Sequence, residues 1–250
     1  MMIELPEQAA LTGIAAFAAG VLNAMAGGGS FLTFPALVFA GVPPVAANAT
    51  SAMAVSPGYL GSALGFGTEL RSLPTPLLRR EVTVAALGGL IGAGLLLVTP
   101  AKLFSGLVPW LLLLATALFA LGPRLARLAG GQGQPRWRLP GLLGVSVYGG
   151  YFNGGLGILL MALYTLTGES RMNTANALKN LNSFVLSLLS VGAFAAAGAI
   201  VWPQALWMML GATLGGWSGA RLARRLPVQW VRTLVIATGL VMSAVFFSRL

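Results

Sequence analysis

Residues able to hold a polar guest are few in this apolar chain, and they gather at two glycine-rich breaks and on one later segment. Asn23 precedes the run Ala26-Gly27-Gly28-Gly29-Ser30, and Asn153 opens Asn153-Gly154-Gly155-Leu156-Gly157. Glycine costs about 1 kcal/mol per residue in a helix interior. The two runs therefore predict breaks in the apolar stretches 11–41 and 139–168. A broken helix leaves free N–H groups where the next short helix starts, and with the dipole end these attract an anion without any charged side chain. Such glycines can also serve only close helix packing. Three together beside an asparagine favour binding, so Asn23, Gly27, Gly28, Gly29, Asn153, Gly154 and Gly155 are candidate ligands.

The later segment carries Asn173, Asn176, Lys179, Asn180, Asn182 and Ser183. Asn173, Asn176 and Asn180 step by three and four, so they share one helical face, with Lys179 and Ser183 alongside. Turned to lipid this face would cost several kcal/mol, so it is expected to look inward. Asn176, Lys179 and Asn180 are its candidate ligands. The equivalent stretch of the first half offers Asn48, Thr50 and Ser51. Lys179 is the one basic residue expected well inside a span. The alternative for it is snorkelling to an interface.

The elements that must position these residues are membrane spans. Of 250 residues, 57% are hydrophobic and 8% charged, against roughly 25% charged in soluble domains. Apolar runs near the ~20 residues that cross a bilayer recur throughout. The net charge of +10 fits loops obeying the positive-inside rule, and no nucleic-acid-reading module is present. There is no Cys, His or Asp, which removes His-based triads, zinc sites and disulfides. No cofactor is expected. Ala24-Met25-Ala26 imitates a signal-peptidase site, but Glu4 and Glu7 with no Lys or Arg before them are the wrong charge for a signal peptide. The segment is expected to stay in the mature chain.

The chain also repeats itself. Gly20-Val-Leu-Asn23 returns as Gly150-Tyr-Phe-Asn153, 130 positions on; Asn48-Ala49 returns as Asn176-Ala177, 128 on. Gly88, Gly92 and Pro100 return as Gly215, Gly219 and Pro227, 127 on. The two halves are 1–127 and 139–250, joined by a polar linker at 128–138. Ordinary spans are expected near 45–67, 80–99 and 103–122, then 173–199, 203–221 and 228–248. If each broken segment crosses once, Lys and Arg divide eight against six between the two sides. If each enters and returns as a hairpin, the division is twelve against two, with Arg71, Arg79, Arg80, Arg136, Arg138, Arg171, Arg224 and Arg225 together. The second arrangement obeys the positive-inside rule. Three crossings per half then orient the halves oppositely, as in many secondary transporters. The expected fold is all-α: a polytopic membrane protein of two inverted pseudo-repeats, each a broken helical hairpin plus three transmembrane helices. The glycine ladders at Gly88/Gly92 and Gly211/Gly215/Gly219 are expected to be helix-packing faces.

The stretch from Gly20-Val-Leu-Asn-Ala-Met-Ala-Gly-Gly-Gly-Ser30 through Pro35 to Gly41-Val-Pro-Pro-Val-Ala-Ala-Asn-Ala-Thr-Ser51 resembles the opening signature of the sulfite exporter TauE/SafE family. Gly219-Ala-Arg-Leu-Ala-Arg-Arg-Leu-Pro227 is similar to that family's penultimate-span ending. The resemblance implies a multi-pass protein of the bacterial inner membrane that exports sulfite, sulfoacetate or a related small anion. Its partners would be that anion and the lipid bilayer; a homodimer is compatible with it. Moving one charge down the potential yields about 2.3 kcal/mol per 100 mV, so an anion leaves an inside-negative cell without ATP. Uniport or a substrate-carried proton is the expected coupling. Three rivals stand beside this reading: a carrier of another small solute, a membrane enzyme, and a receptor. A cation carrier wants carboxylates within the spans, where none is expected. An enzyme would have only Lys179 and Glu169 as bases.

Overall fold

In lipid every backbone polar group must be satisfied internally, and an apolar helix does so within its own segment. The computed structural model, which describes residues 6–25, 28–128, 134–222 and 228–248, is helical wherever it is regular. Gly27, linker residues 129–133, Arg224 and Arg225 lie outside the described residues.

The first half contributes α1 (Pro6–Met25), α2 (Ser30–Phe39), α3 (Pro44–Gly65), the short α4 (Gly67–Arg71), α5 (Thr75–Val98) and α6 (Ala101–Leu128). The second contributes α7 (Arg138–Tyr151), α8 (Leu156–Leu166), α9 (Met172–Ala196), α10 (Trp202–Leu222) and α11 (Val228–Phe247). The six expected spans are α3, α5, α6, α9, α10 and α11, and both breaks fall where the glycine runs put them. Among the described residues Thr75–Val98, Ala101–Leu121 and Met172–Ala196 are long and apolar enough to cross a membrane by length and composition. Proline stands in the first turn of α3 and α5, where its missing N–H costs nothing.

The second broken segment turns back on itself. A side chain on Gly141 of α7 would meet Leu163 of α8, and one on Gly149 would meet Leu156. Arg138, at the hairpin's start, lies 4.0 Å from Glu169, just past its end. Both ends of the hairpin are therefore at one level.

Each hairpin packs on the opposite half. Along α1 and α10, Trp207 Nε1 donates to the Ala9 carbonyl at 2.9 Å. Farther along the same pair, Gly215 presses on Phe17, and Gly20 on Ala212 and Gly216. Along α7 and α5, Gly88 meets Ser146, Gly150 meets Gly89, and Gly92 meets Val147 and Tyr151. Gly88, Gly92, Gly211 and Gly215 lie on packing faces, as their spacing predicted, and the surroundings of Gly219 lie outside the described residues. Helix axes approach this closely only where one side has no Cβ. The two contacts exchange when the halves are exchanged, since Gly20 corresponds to Gly150 and Gly216 to Gly89.

The corresponding helices α3 and α9 cross the middle and run antiparallel. Thr50, early in α3, accepts from the Val201 amide beyond the end of α9 at 3.0 Å, and Ser56 meets Ser187 at 2.7 Å. An aromatic cluster fills the space between α2, α6 and the second break: Phe34 packs on Phe104, Phe152 and Phe246, with ring centroids 5.4–6.5 Å apart.

Candidate functional site

The first break is held by its own hairpin. Asn23 Oδ1 accepts from the Gly29 amide at 3.0 Å, satisfying one of the donors that a helix start leaves free. A Cβ on Gly29 would lie 2.6 Å from the Ala19 carbonyl oxygen. Only glycine lets α2 start this close to α1. Gly28, Gly29 and Ser30 are buried.

Beside this break lies a cavity of about 430 Å³ between α1, α3, α9 and α10. Its polar lining includes Asn23, Tyr59, Ser62, Lys179, Asn180 and Thr213. Lys179 is 8% exposed. No carboxylate pairs with it among the described residues, whose ion pairs are Arg138–Glu81, Arg138–Glu169 and Arg171–Glu169. A buried ammonium without a partner is costly unless an anion or water completes it. The cavity gives that completing group a place.

Tyr59 links the two breaks, and sequence reasoning missed it. Its hydroxyl donates to Asn153 Oδ1 at 3.5 Å and also interacts with the Asn23 and Ser30 side chains. The ring is buried, at 4% exposure, and it borders the cavity. A buried tyrosine hydroxyl nearly always finds a partner. That rule signals a polar site near Tyr59, but the 94 residues separating it from Asn153 hide which one.

The second break is finished differently. Asn48 reaches across from α3, donating from Nδ2 to the Tyr151 carbonyl at 3.1 Å and accepting from the Asn153 amide at 3.4 Å. Tyr148 donates to the Gly154 carbonyl at 2.8 Å. Gly155 takes a left-handed conformation, φ 78°, and a Cβ there would meet Ala115 and Phe31. Asn153 Nδ2 is buried without a hydrogen-bond partner. Gly154 and Gly155 face side chains rather than the cavity.

The expected ligands therefore separate. Asn23, Gly28, Gly29, Lys179 and Asn180 come together at or beside the cavity. Asn153 touches it through Tyr59. Thr50 serves the α9–α10 connection, and Ser51 bonds Thr33 of α2 at 2.6 Å; with Asn48 they brace α3. Asn176 donates to the Met172 carbonyl within its own helix, and Asn173 is exposed. The inward face of α9 therefore begins near Thr174, not at Asn173.

One expectation is corrected. A carboxylate does lie inside a span: Glu81 of α5 is 0% exposed. Arg138 Nε donates to its Oε1 at 2.7 Å, while Tyr164 and Asn182 each donate to Oε2 at 2.8 Å. Glu81 sits one turn and a half into an apolar helix, and its counter-charge lies 57 residues away. It is tied into α7, α8 and α9, away from the cavity. Its negative charge is already answered by Arg138.

The sulfite exporter TauE/SafE family model matches residues 12–246. The chain belongs to that family. The family's relatives include a probable membrane transporter protein of Haemophilus influenzae, 30% identical over 91% of this chain and 90% of the relative. The probable membrane transporter protein YfcA of Escherichia coli K12 is 30% identical over 92% and 86%. The probable membrane transporter protein ORF9 of a Sinorhizobium species is 26% identical over 92% and 88%. No solved structure matches. This family member is a membrane transporter, and its apolar helices are the parts that such work requires.

Proposed function

We propose that the protein is a secondary transporter exporting a small oxyanion, most simply sulfite or an organosulfonate such as sulfoacetate, across the bacterial inner membrane. The observation that carries this is Lys179, a buried cation with no carboxylate partner among the described residues, lining the cavity beside the first break. An oxyanion there supplies the missing negative charge and several acceptor oxygens. Asn180, Thr213 and the Tyr59 hydroxyl line the same space as hydrogen-bonding neighbours. The family's name supports the sulfur oxyanion, although the relatives' names state no substrate.

The two halves form inverted repeats in this reading. The antiparallel course of α3 and α9, the exchange of packing partners between halves, and the arginine distribution support it. The cavity borders the C-terminal half of α3, which leads to Arg71, so it faces the arginine-rich, cytoplasmic side. An anion enters from the cell interior, loses water against Asn23, Lys179 and Asn180, and leaves down the electrical gradient. The one buried carboxylate among the described residues is committed to Arg138, which favours uniport or a proton carried by the substrate.

Efflux of labelled sulfite from proteoliposomes tests the proposal. The expected result is saturable, potential-driven efflux by the full chain and its loss in Lys179→Ala. Potential-independent uptake of a neutral or cationic solute, with no response to sulfite, would overturn it.

A further inference from the structure

The cavity has a counterpart in the other half, and that counterpart is shut. The offsets between halves pair Gly58 with Leu186, Tyr59 with Ser187, Ser62 with Ser190 and Gly216 with Gly89. On the cavity side the helices stand apart. A Cβ on Gly58 would meet nothing within 4 Å, and one on Gly216 would meet only the Gly20 carbonyl, at 3.8 Å. On the other side they are pressed together. A Cβ on Gly89 would lie 2.7 Å from the Leu186 carbonyl oxygen, and Ser190 donates to the Gly89 carbonyl at 3.0 Å.

What does not differ is the seating within each helix pair. Gly20 presses on Gly216 as Gly150 presses on Gly89, so α1–α10 and α7–α5 are built alike. One pair stands off α3, and the other is closed on α9. The closed side is also polar inside. Ser183 Oγ is fully buried without a partner, Ser187 is occupied by Ser56, and all three serines lie on one face of α9.

We infer that the seam between α5 and α9, at Gly89, Leu186 and Ser190, is the second door of the anion's path. It opens as the cavity between α3 and α10 shuts, and the Ser183, Ser187 and Ser190 hydroxyls are the hydrogen-bond donors to the anion there. The inference rests on the transport reading for its ligand and on the repeat geometry for its motion. Two nearly equivalent packings that differ by a few kcal/mol supply a major and a minor state. The cavity borders the C-terminal half of α3, the seam borders the C-terminal half of α9, and these helices are antiparallel. The two doors therefore face opposite sides.

The chain has no cysteine, so single thiols report without background. Gly58→Cys, Ser187→Cys and Ser190→Cys are each placed in the full-length protein. Each is labelled with a membrane-impermeant thiol reagent in right-side-out and inside-out vesicles. Gly58→Cys is expected to label from one face only. The two serine positions label only from the other face, about 10- to 1000-fold slower, as a minor state of roughly 0.1–10% requires. Using two serine positions guards against one variant failing to fold. Labelling of both from the Gly58 face, or none after far more than a thousandfold longer exposure, overturns the seam. Sulfite efflux is measured separately. Opposed labelling without sulfite efflux keeps the seam and refutes the anion, whereas efflux with both serines sealed refutes the seam alone.

Discussion

At the first break Asn23 caps a glycine six residues ahead in its own hairpin. At the second, Asn48 comes from the other half of the chain to hold Asn153 and Tyr151, while Tyr148 and the phenylalanine cluster close over the glycines. Asparagine and glycine occupy corresponding places in both. What differs is the company: Lys179, Asn180 and open space beside one, aromatic rings beside the other. A broken helix is thus a backbone opportunity, and the surrounding side chains decide whether open space or a packed joint lies beside it.

The contrast can be broken most forcefully at the joint side. Glu81→Ala takes the close partner from Arg138, leaving only Glu169 at 4.0 Å, and strips Tyr164 and Asn182 of their shared acceptor; removing one partner of a buried pair costs about 3–5 kcal/mol. The expected outcome is a large drop in melting temperature in detergent, partly restored by pairing it with Arg138→Met. Lys179→Ala comes next. Loss of a charged hydrogen-bond partner is worth about 1.5–3 kcal/mol, so sulfite affinity should fall roughly 10- to 100-fold while the melting temperature holds or rises. A fall in stability with affinity unchanged would make Lys179 structural.

The two asparagines then separate the breaks from each other. Asn48→Ala should lower thermal stability by about 1–3 kcal/mol, since it strands the buried Asn153 amide, with the KM for sulfite unchanged. Asn23→Ala should instead raise KM. If both act alike, the division between site and joint is wrong. Tyr59→Phe is the smallest change, deleting one neutral hydrogen bond of about 0.5–1.5 kcal/mol. A two- to tenfold rise in KM, read from efflux at varied sulfite, is expected.

Helices and breaks were legible in the sequence because both are local. A 20-residue apolar run has few other fates, and Gly27-Gly28-Gly29 interrupts one visibly. The burial of Lys179 was legible for the same reason, since it is the one basic residue well inside an expected span. What the spacing could not give was company from a distance. Asn48 stands 103 residues from Tyr151, and Glu81 57 from Arg138. Thr50 and Ser51 show the converse. Their polarity in a span was read as a ligand face, yet each is used up by a backbone or side-chain partner in a neighbouring element.

The cross-half seating of α1 carries a consequence for how the protein is made. Its partner surface on α10 is translated late: 198 residues separate Ala9 from Trp207. At about 5–20 residues per second, synthesis leaves the first hairpin waiting roughly 10–40 s for that surface. Meanwhile its narrow glycine-lined flank must be sheltered by lipid or by an insertion factor. Ribosome stalling between α9 and α10 should therefore yield a nascent chain whose N-terminal hairpin crosslinks to lipid or to an insertion factor, and release of the stall should replace that crosslink with one to α10.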